Sequence, residues 1–101
     1  MSTIMVRYKV KPEHAQENER LVRDVYEELQ QTAPAGLRYA TFKLDDGVSF
    51  VHIAAIDTAD GQNPLREVKA FQAFQKDVAG RCAEPPVSSA LHEVGSFHVR
   101  R

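Results

Sequence analysis

The sequence contains no tryptophan and only one cysteine, Cys82, among its 101 residues. A lone cysteine cannot form an intramolecular disulfide, and by itself it cannot build a cysteine-based zinc site. Long apolar runs are also absent, and the first residues, MSTIMVRYKV, lack the apolar core of a signal peptide. We therefore expect a soluble, cytoplasmic protein with no membrane partner.

A strong net charge is missing too, because 13 basic and 14 acidic residues leave a formal net charge of −1. This balance offers no basic surface for a nucleic acid. The four histidines are scattered without HxH or HExxH spacing, so we expect no metal site. The length of 101 residues suits one domain, which we place at residues 1–101.

What the sequence does contain is a regular succession of strand and helix patterns. Apolar and polar residues alternate over residues 4–10, which predicts a strand. An amphipathic helix is predicted from Glu13 to about Gln31, with Pro12 in its first turn. Pro34 and Gly36 then end this helix.

A hairpin and a second helix follow. The runs LRYATFKL (37–44) and VSFVHIAAI (48–56) flank Asp45-Asp46-Gly47, which is typical of a hairpin turn. One amphipathic helix is then predicted, with Asn63 as its N-cap and Pro64 as its first residue.

Glu84-Pro85-Pro86 is expected to break the chain before a last strand, which we place from about Val87 to Val99, with Gly95 indicating a bulge or a close backbone approach. The order β-α-β-β-α-β is that of the α+β, ferredoxin-like fold, with an antiparallel four-stranded sheet and two helices on one face. The third strand is apolar on both sides, which is typical of a strand covered on both faces. A second copy of the chain is the simplest cover, so a homodimer is expected.

The element order and the segment FQAFQKDVAGRCAEPPVSSALHEVGSF (71–97) resemble the dimeric α+β-barrel superfamily, and within it the antibiotic-biosynthesis-monooxygenase-like proteins. The resemblance implies two sheets packed face to face across a dimer, with a pocket in each subunit. It also implies oxidation of a small quinol or polyketide-like aromatic without a cofactor. The haem-degrading members have an Asn-Trp-His constellation, which a chain without tryptophan and with Arg7 in its first strand does not reproduce.

His52 is the best candidate for a catalytic base, because it alternates with Phe50 and Ala54 in a buried strand and imidazole titrates near neutral pH. The alternative is a core histidine bonded to neighbouring groups, since the sequence offers no orienting acid. His14 and Asn18 share the apolar stripe of the first helix. They are expected either to border a pocket or to lie in an exposed first turn.

Gln75 lies on the apolar stripe of the second helix, where a buried amide requires a partner from the protein, water or a ligand. Tyr8 and Tyr39 are expected to pack in the sheet, and a buried tyrosine hydroxyl also needs a partner. Arg81 and Glu84 are expected to cap the helix exit or to pair with each other.

These residues leave two functions open. The first is a cofactor-independent monooxygenase with His52 as the base and with substrate-binding groups near the first turn of the first helix: Tyr8, His14, Asn18 and Gln75. The second is a small-molecule-binding or assembly protein without catalysis. An apolar cavity of about 300 Å³ or more between helices and sheet would favour the first function, whereas phenylalanines filling that space would exclude a substrate.

Overall fold

The computed structural model describes residues 1–98, which form a four-stranded antiparallel sheet with helices on one face. The strands lie in the order β2-β3-β1-β4, so the predicted ferredoxin-like α+β fold is confirmed. Within residues 1–98 no helix has both the length and the apolar character that crossing a bilayer requires. The elements are β1 (Ser2–Val10), a 3₁₀ turn (Pro12–His14), α1 (Ala15–Thr32), β2 (Leu37–Lys43), β3 (Ser49–Ile56), a second 3₁₀ turn (Pro64–Glu67), α2 (Lys69–Lys76), α3 (Val78–Arg81) and β4 (Cys82–Leu91).

The predicted hairpin is formed by β2 and β3. Its turn is held by Asp46, whose carboxylate accepts hydrogen bonds from the backbone N–H of Ser49 at 2.8 Å and from its hydroxyl at 2.6 Å. The resulting register places Thr41 of β2 and Val6 of β1 on either side of His52. Because side chains alternate between the faces of a strand, His52 shares its side of β3 with the core residue Phe50 and so points toward the helices.

The core lies between the helices and the sheet. Its buried members come from every layer, and they are Tyr8, Val10, Val22, Val25, Phe50, Leu65, Val68 and Phe74. Burial of a large apolar side chain stabilises the fold by roughly 1.5–3 kcal/mol. The opposite side of the sheet, here called the open face, is made by alternate residues of all four strands, including Met5, Phe42, Val51, Ile53 and Val87.

The second helical region is divided into three pieces, whereas the sequence pattern predicts one helix. Asn63 is the N-cap of the first piece as predicted, and its Oδ1 accepts a hydrogen bond from the backbone N–H of Leu65 at 3.0 Å. Val68 then adopts an extended conformation, so α2 begins only at Lys69. The carboxylate of Glu28 in α1 accepts hydrogen bonds from the first two backbone N–H groups of α2, at 3.0 and 2.9 Å. A neighbouring helix therefore supplies the cap that α2 lacks.

The last strand begins and ends earlier than predicted. β4 extends from Cys82 to Leu91 and contains Pro85-Pro86, which the sequence pattern places before the strand. Proline is tolerated because β4 is an edge strand, and its register with β1 is irregular around the two prolines. Gly95 lies beyond β4, and a Cβ built there would meet no heavy atom of the described residues within 4 Å, so the predicted bulge or close approach is wrong. Val99 lies outside the described residues.

Gly36 and Gly47 provide a matched pair for a stability test, because both have a positive φ, +78° and +76°. A Cβ at Gly36 would lie 2.4 Å from the Asp57 carbonyl oxygen, whereas a Cβ at Gly47 would meet no heavy atom within 4 Å. We expect Gly47→Ala to lower the free energy of unfolding by about 1–2 kcal/mol through backbone strain alone. Gly36→Ala should lower the free energy of unfolding by roughly 1–3 kcal/mol more than Gly47→Ala does, because the backbone around Asp57 must also shift.

Urea denaturation of the two variants and the unmodified protein measures this difference. Equal losses in the two variants would contradict the close approach of Gly36 to the segment after β3.

Candidate functional site

His52 lies in the middle of β3 beneath the helices, with 6% of its surface exposed. Its Nε2 is 2.7 Å from Tyr8 Oη, and its Nδ1 is 2.5 Å from Tyr39 Oη and 3.2 Å from Thr41 Oγ1. Both ring nitrogens are thus bonded within the protein. Burial lowers the pKa of His52 to about 4, because the charged imidazolium loses its hydration. The ring is therefore neutral at physiological pH.

The hydrogen bonds of His52 belong to a longer chain of side chains. Asn18 Nδ2 donates to Tyr8 Oη at 2.9 Å, and Arg81 Nε donates to Asn18 Oδ1 at 3.1 Å. At the other end, the hydroxyl groups of Tyr26 and Thr41 are 2.7 Å apart. This hydrogen-bond chain consists of Arg81, Asn18, Tyr8, His52, Tyr39, Thr41 and Tyr26.

The two tyrosines that bond to His52 are neutral phenols. Burial raises the pKa of Tyr8 well above its ordinary value, although the hydrogen bond from Asn18 partly opposes this rise. Burial likewise raises the pKa of Tyr39. Aromatic contacts hold these rings in place, since Tyr8 stacks on Phe50 with ring centroids 5.6 Å apart and Tyr39 meets Phe71 edge to face at 6.4 Å.

A cavity of about 280 Å³ lies between this group and α2. Its apolar wall includes Ile4, Val6, Ala54, Leu65, Phe71, Phe74 and Val78. Its polar groups are Tyr8, Tyr39 and His52 from the sheet, with Asn63, Arg66 and Gln75 on the helical side. An apolar cavity with a few converging polar groups is typical of a site for a small organic ligand. In residues 1–98 no three His, Cys, Asp or Glu side chains are grouped to hold a metal ion.

The structure brings together some of the candidate residues and separates others. Tyr8, His52 and Gln75 line the cavity, but Gln75 is exposed, so its predicted burial is wrong. Asn18 is fully buried and contacts the Tyr8 hydroxyl without lining the cavity. His14 lies apart at the start of α1, with its Nδ1 3.0 Å from Glu17 Oε1. The cavity itself lies beneath α2 and not at the first turn of α1.

Three residues of the site were not assigned to it from the sequence. Tyr39 is more than sheet packing, and Thr41 reaches the same ring nitrogen of His52. The sequence could have indicated both residues through the hairpin register. Counting outward from the turn pairs Thr41 with His52, and Tyr39 lies two residues farther along the same face of β2. Arg81 is 3% exposed and bonds to Asn18. The expected pairing of Arg81 with Glu84 is wrong, since Glu84 lies 4.0 Å from Lys9 Nζ.

The lowered pKa of His52 predicts a pH dependence of stability. In the unfolded chain the imidazole has a pKa of about 6.5, so between about pH 6.5 and pH 4 the unfolded state binds a proton that the folded state does not. The resulting stabilisation, roughly 3 kcal/mol, is fully present above pH 6.5 and is lost as the pH falls toward 4. Between about pH 7.5 and pH 5 the loss due to this group is roughly 2 kcal/mol.

The free energy of unfolding should fall between pH 7.5 and pH 5 in the unmodified protein and in His52→Gln. We expect this fall to be roughly 2 kcal/mol smaller in His52→Gln. His92→Gln removes an exposed histidine and should keep the original difference. An unchanged pH dependence in His52→Gln would show that His52 is not buried in its neutral form.

Comparison with known proteins shows similarity at the level of structure. No family model matches the sequence, and no curated protein matches it. A crystal structure of an antibiotic biosynthesis monooxygenase matches with a TM-score of 0.76 and 18% identity, over 94% of this chain and all of that one. A protein of unknown function from Nitrosomonas europaea matches with a TM-score of 0.73 and 14% identity, over 99% and 95% of the two chains.

A third match is a variant of SnoaB, a cofactor-independent oxygenase from Streptomyces nogalater. Its TM-score is 0.67 at 14% identity, and the match covers 97% of each chain. Identities this low show a common fold and assign no residue a role. The resemblance drawn from the sequence is confirmed at this level: the chain has the fold of the antibiotic-biosynthesis-monooxygenase structures.

Proposed function

We propose that the protein is a cofactor-independent monooxygenase that oxidises a small electron-rich aromatic, such as a quinol or a polyketide-like ring. The observation that carries the proposal is the cavity of about 280 Å³ beneath α2, in which His52, Tyr8 and Tyr39 face a largely apolar wall that also carries Asn63, Arg66 and Gln75. Its aromatic side chains, Phe71 and Phe74, suit a flat ring. The fold shared with a cofactor-independent oxygenase supports the same activity.

In the proposed reaction the substrate loses a proton and its anion passes an electron to O₂. The substrate radical and superoxide then combine through a new C–O bond, and the resulting peroxide takes up the abstracted proton. Its O–O bond breaks as the same carbon loses its second hydrogen, so one oxygen atom remains on the substrate as a carbonyl and the other leaves as water. The substrate supplies all four electrons that O₂ accepts. His52 is the proposed base, because its neutral form at physiological pH retains a lone pair. A base of such low pKa requires a stabilised substrate anion. The hydroxyl of Tyr39 and the positive charge of Arg66, which both line the cavity, favour that anion, and Arg81 adds a buried positive charge over the ring of Phe74.

The other candidate residues take different parts in the proposed reaction. Tyr8 and Gln75 line the cavity and would contact the substrate, whereas Asn18 acts through its hydrogen bond to Tyr8. His14 does not line this cavity and takes no part in the proposed reaction.

A second candidate, a ligand-binding or assembly protein without catalysis, has its own supporting observation. Among the described residues, every buried side-chain nitrogen and oxygen has a hydrogen-bond partner. The polar groups around His52 are therefore satisfied without a substrate, as in a structural core.

Oxygen consumption with a panel of quinols and anthrones distinguishes the two candidates. Ala54 is buried in the cavity wall, and Ala54→Leu should fill the space that a substrate ring needs. We expect turnover by the unmodified protein and a loss of roughly tenfold or more in both Ala54→Leu and His52→Ala. Ala73→Leu makes the same substitution as Ala54→Leu on the exposed side of α2 and should keep full turnover.

Binding of the same compounds, measured by calorimetry, completes the test. Binding that Ala54→Leu abolishes, without oxygen consumption, would replace the oxygenase by a ligand-binding protein. Turnover that persists in His52→Ala would remove His52 as the base.

We also propose that the open face pairs with a second copy of the chain. It carries Phe42 and Val87, which are 55% and 62% exposed, beside the partly buried Val51 and Ile53. Adjacent apolar side chains on a sheet face are typical of an interface. Arg7 lies between Val51 and Val87 in the register, and strand alternation places Lys9 and Arg38 on the same face, farther from these two residues.

Light scattering at micromolar concentration should report twice the mass of the 11.3 kDa chain. Val51→Lys places a charge on the open face and should give the monomer. Ala73→Lys introduces the same side chain on the exposed side of α2 and should leave the dimer intact. A monomeric unmodified protein would contradict the pairing.

A further inference from the structure

Arg81 is a buried cation whose bonded acceptors are both neutral. Its Nε donates to Asn18 Oδ1 at 3.1 Å and its Nη2 to the Phe74 carbonyl oxygen at 2.8 Å. The guanidinium carbon also lies 5.2 Å from the centre of the Phe74 ring. A buried charge is costly unless its surroundings compensate it. Arg81 lies at one end of the hydrogen-bond chain, so the direction of its hydrogen bond to Asn18 constrains the hydrogen bonds that lead to His52.

The hydrogen bonds near Arg81 can run in only one direction. A guanidinium group has donors and no acceptor, so the Asn18 atom that it meets must be the amide oxygen. The amide nitrogen of Asn18 then faces Tyr8 Oη at 2.9 Å, and this nitrogen can only donate. The Tyr8 oxygen is therefore an acceptor toward Asn18.

The same direction continues to His52. A phenol has one hydrogen, and the other bonded partner of Tyr8 is His52 Nε2 at 2.7 Å. A buried hydroxyl hydrogen needs an acceptor, and Nε2 is the acceptor that the structure places beside Tyr8, so Tyr8 donates to Nε2, which is then the unprotonated nitrogen. A neutral imidazole carries its single hydrogen on the other nitrogen, Nδ1, where Tyr39 Oη at 2.5 Å and Thr41 Oγ1 at 3.2 Å can accept it.

We propose that Arg81 and Asn18 are positioning residues that hold His52 in the Nδ1–H tautomer and direct its Nε2 lone pair at the Tyr8 hydroxyl. The inference rests on the proposed function in one respect, since it names the route by which His52 would receive a substrate proton. Tyr8 transfers its own hydrogen to Nε2 while its oxygen takes the proton of the substrate. The products of this step are the substrate anion, neutral Tyr8 and the His52 imidazolium.

Nitrogen-15 NMR of the labelled full-length protein without substrate, near neutral pH, tests the tautomer directly. The protonated and unprotonated nitrogens of an imidazole have well separated ¹⁵N frequencies, and their couplings to the ring carbon protons identify each nitrogen. We expect one His52 pattern with the hydrogen on Nδ1. A hydrogen on Nε2, or an averaged mixture of tautomers, would overturn the proposal.

Asn18→Asp tests the positioning residues themselves. A carboxylate beside Arg81 only accepts, so the Tyr8 hydroxyl must turn its hydrogen toward residue 18 and accept from His52 Nε2. We expect the hydrogen of His52 to move from Nδ1 to Nε2. Gln16→Glu makes the same change from amide to carboxylate at an exposed position of α1 and should leave the tautomer unchanged. A tautomer that stays Nδ1–H in Asn18→Asp would overturn the proposal.

Tyr8→Phe provides a second variant that places no charge in the core. It keeps the ring that stacks on Phe50 but removes the donor to Nε2, so the fraction of the Nδ1–H form should fall. An unchanged tautomer would contradict the role of Tyr8. Because these spectra need no substrate, a protein with the expected tautomer but without oxygen consumption would contradict the proposed oxygenase activity alone.

Discussion

The buried imidazole of His52 is the constraint on which the arrangement of the site depends. Each ring nitrogen must find a partner away from water, and the two strands adjacent to β3 supply them: Tyr8 from β1, and Tyr39 with Thr41 from β2. A slip of one residue in either register would turn these hydroxyl groups to the open face and leave the imidazole unpaired. The hydrogen bonds of His52 and the pairing of the strands therefore support each other.

The helices extend this constraint beyond the sheet. Asn18 of α1 and Arg81 at the end of α3 meet over Tyr8, and they join two helices to the first strand through side chains 63 positions apart in sequence. Glu28 ties the start of α2 to α1 in the same way. The short α2, bounded by breaks in the helix, presents Phe71 and Phe74 to the cavity.

A neutral interior distinguishes this site from one built on an ion pair. His52 and the tyrosines are uncharged at physiological pH because burial disfavours their ionised forms, and Arg81 is the one formal charge in the hydrogen-bond chain. A single buried positive charge favours negative charge that develops nearby. The same neutrality makes the chain of hydrogen bonds directional, since each group has a fixed set of donors and acceptors.

The sequence by itself determined the order of the elements, the hairpin, the Asn63 cap and the residues of β3 that share a face with His52, because each depends on local turn chemistry or on a periodicity of two. It did not reveal the breaks around α2 or the early start of β4, because a cap from Glu28 and an edge position that tolerates proline are supplied by distant parts of the chain. Only the tertiary structure joined Arg81, Asn18 and Tyr8 to His52. Periodicity tells which side chains share a face, whereas the direction of that face and the hydrogen-bond partners of its residues depend on how separate elements pack.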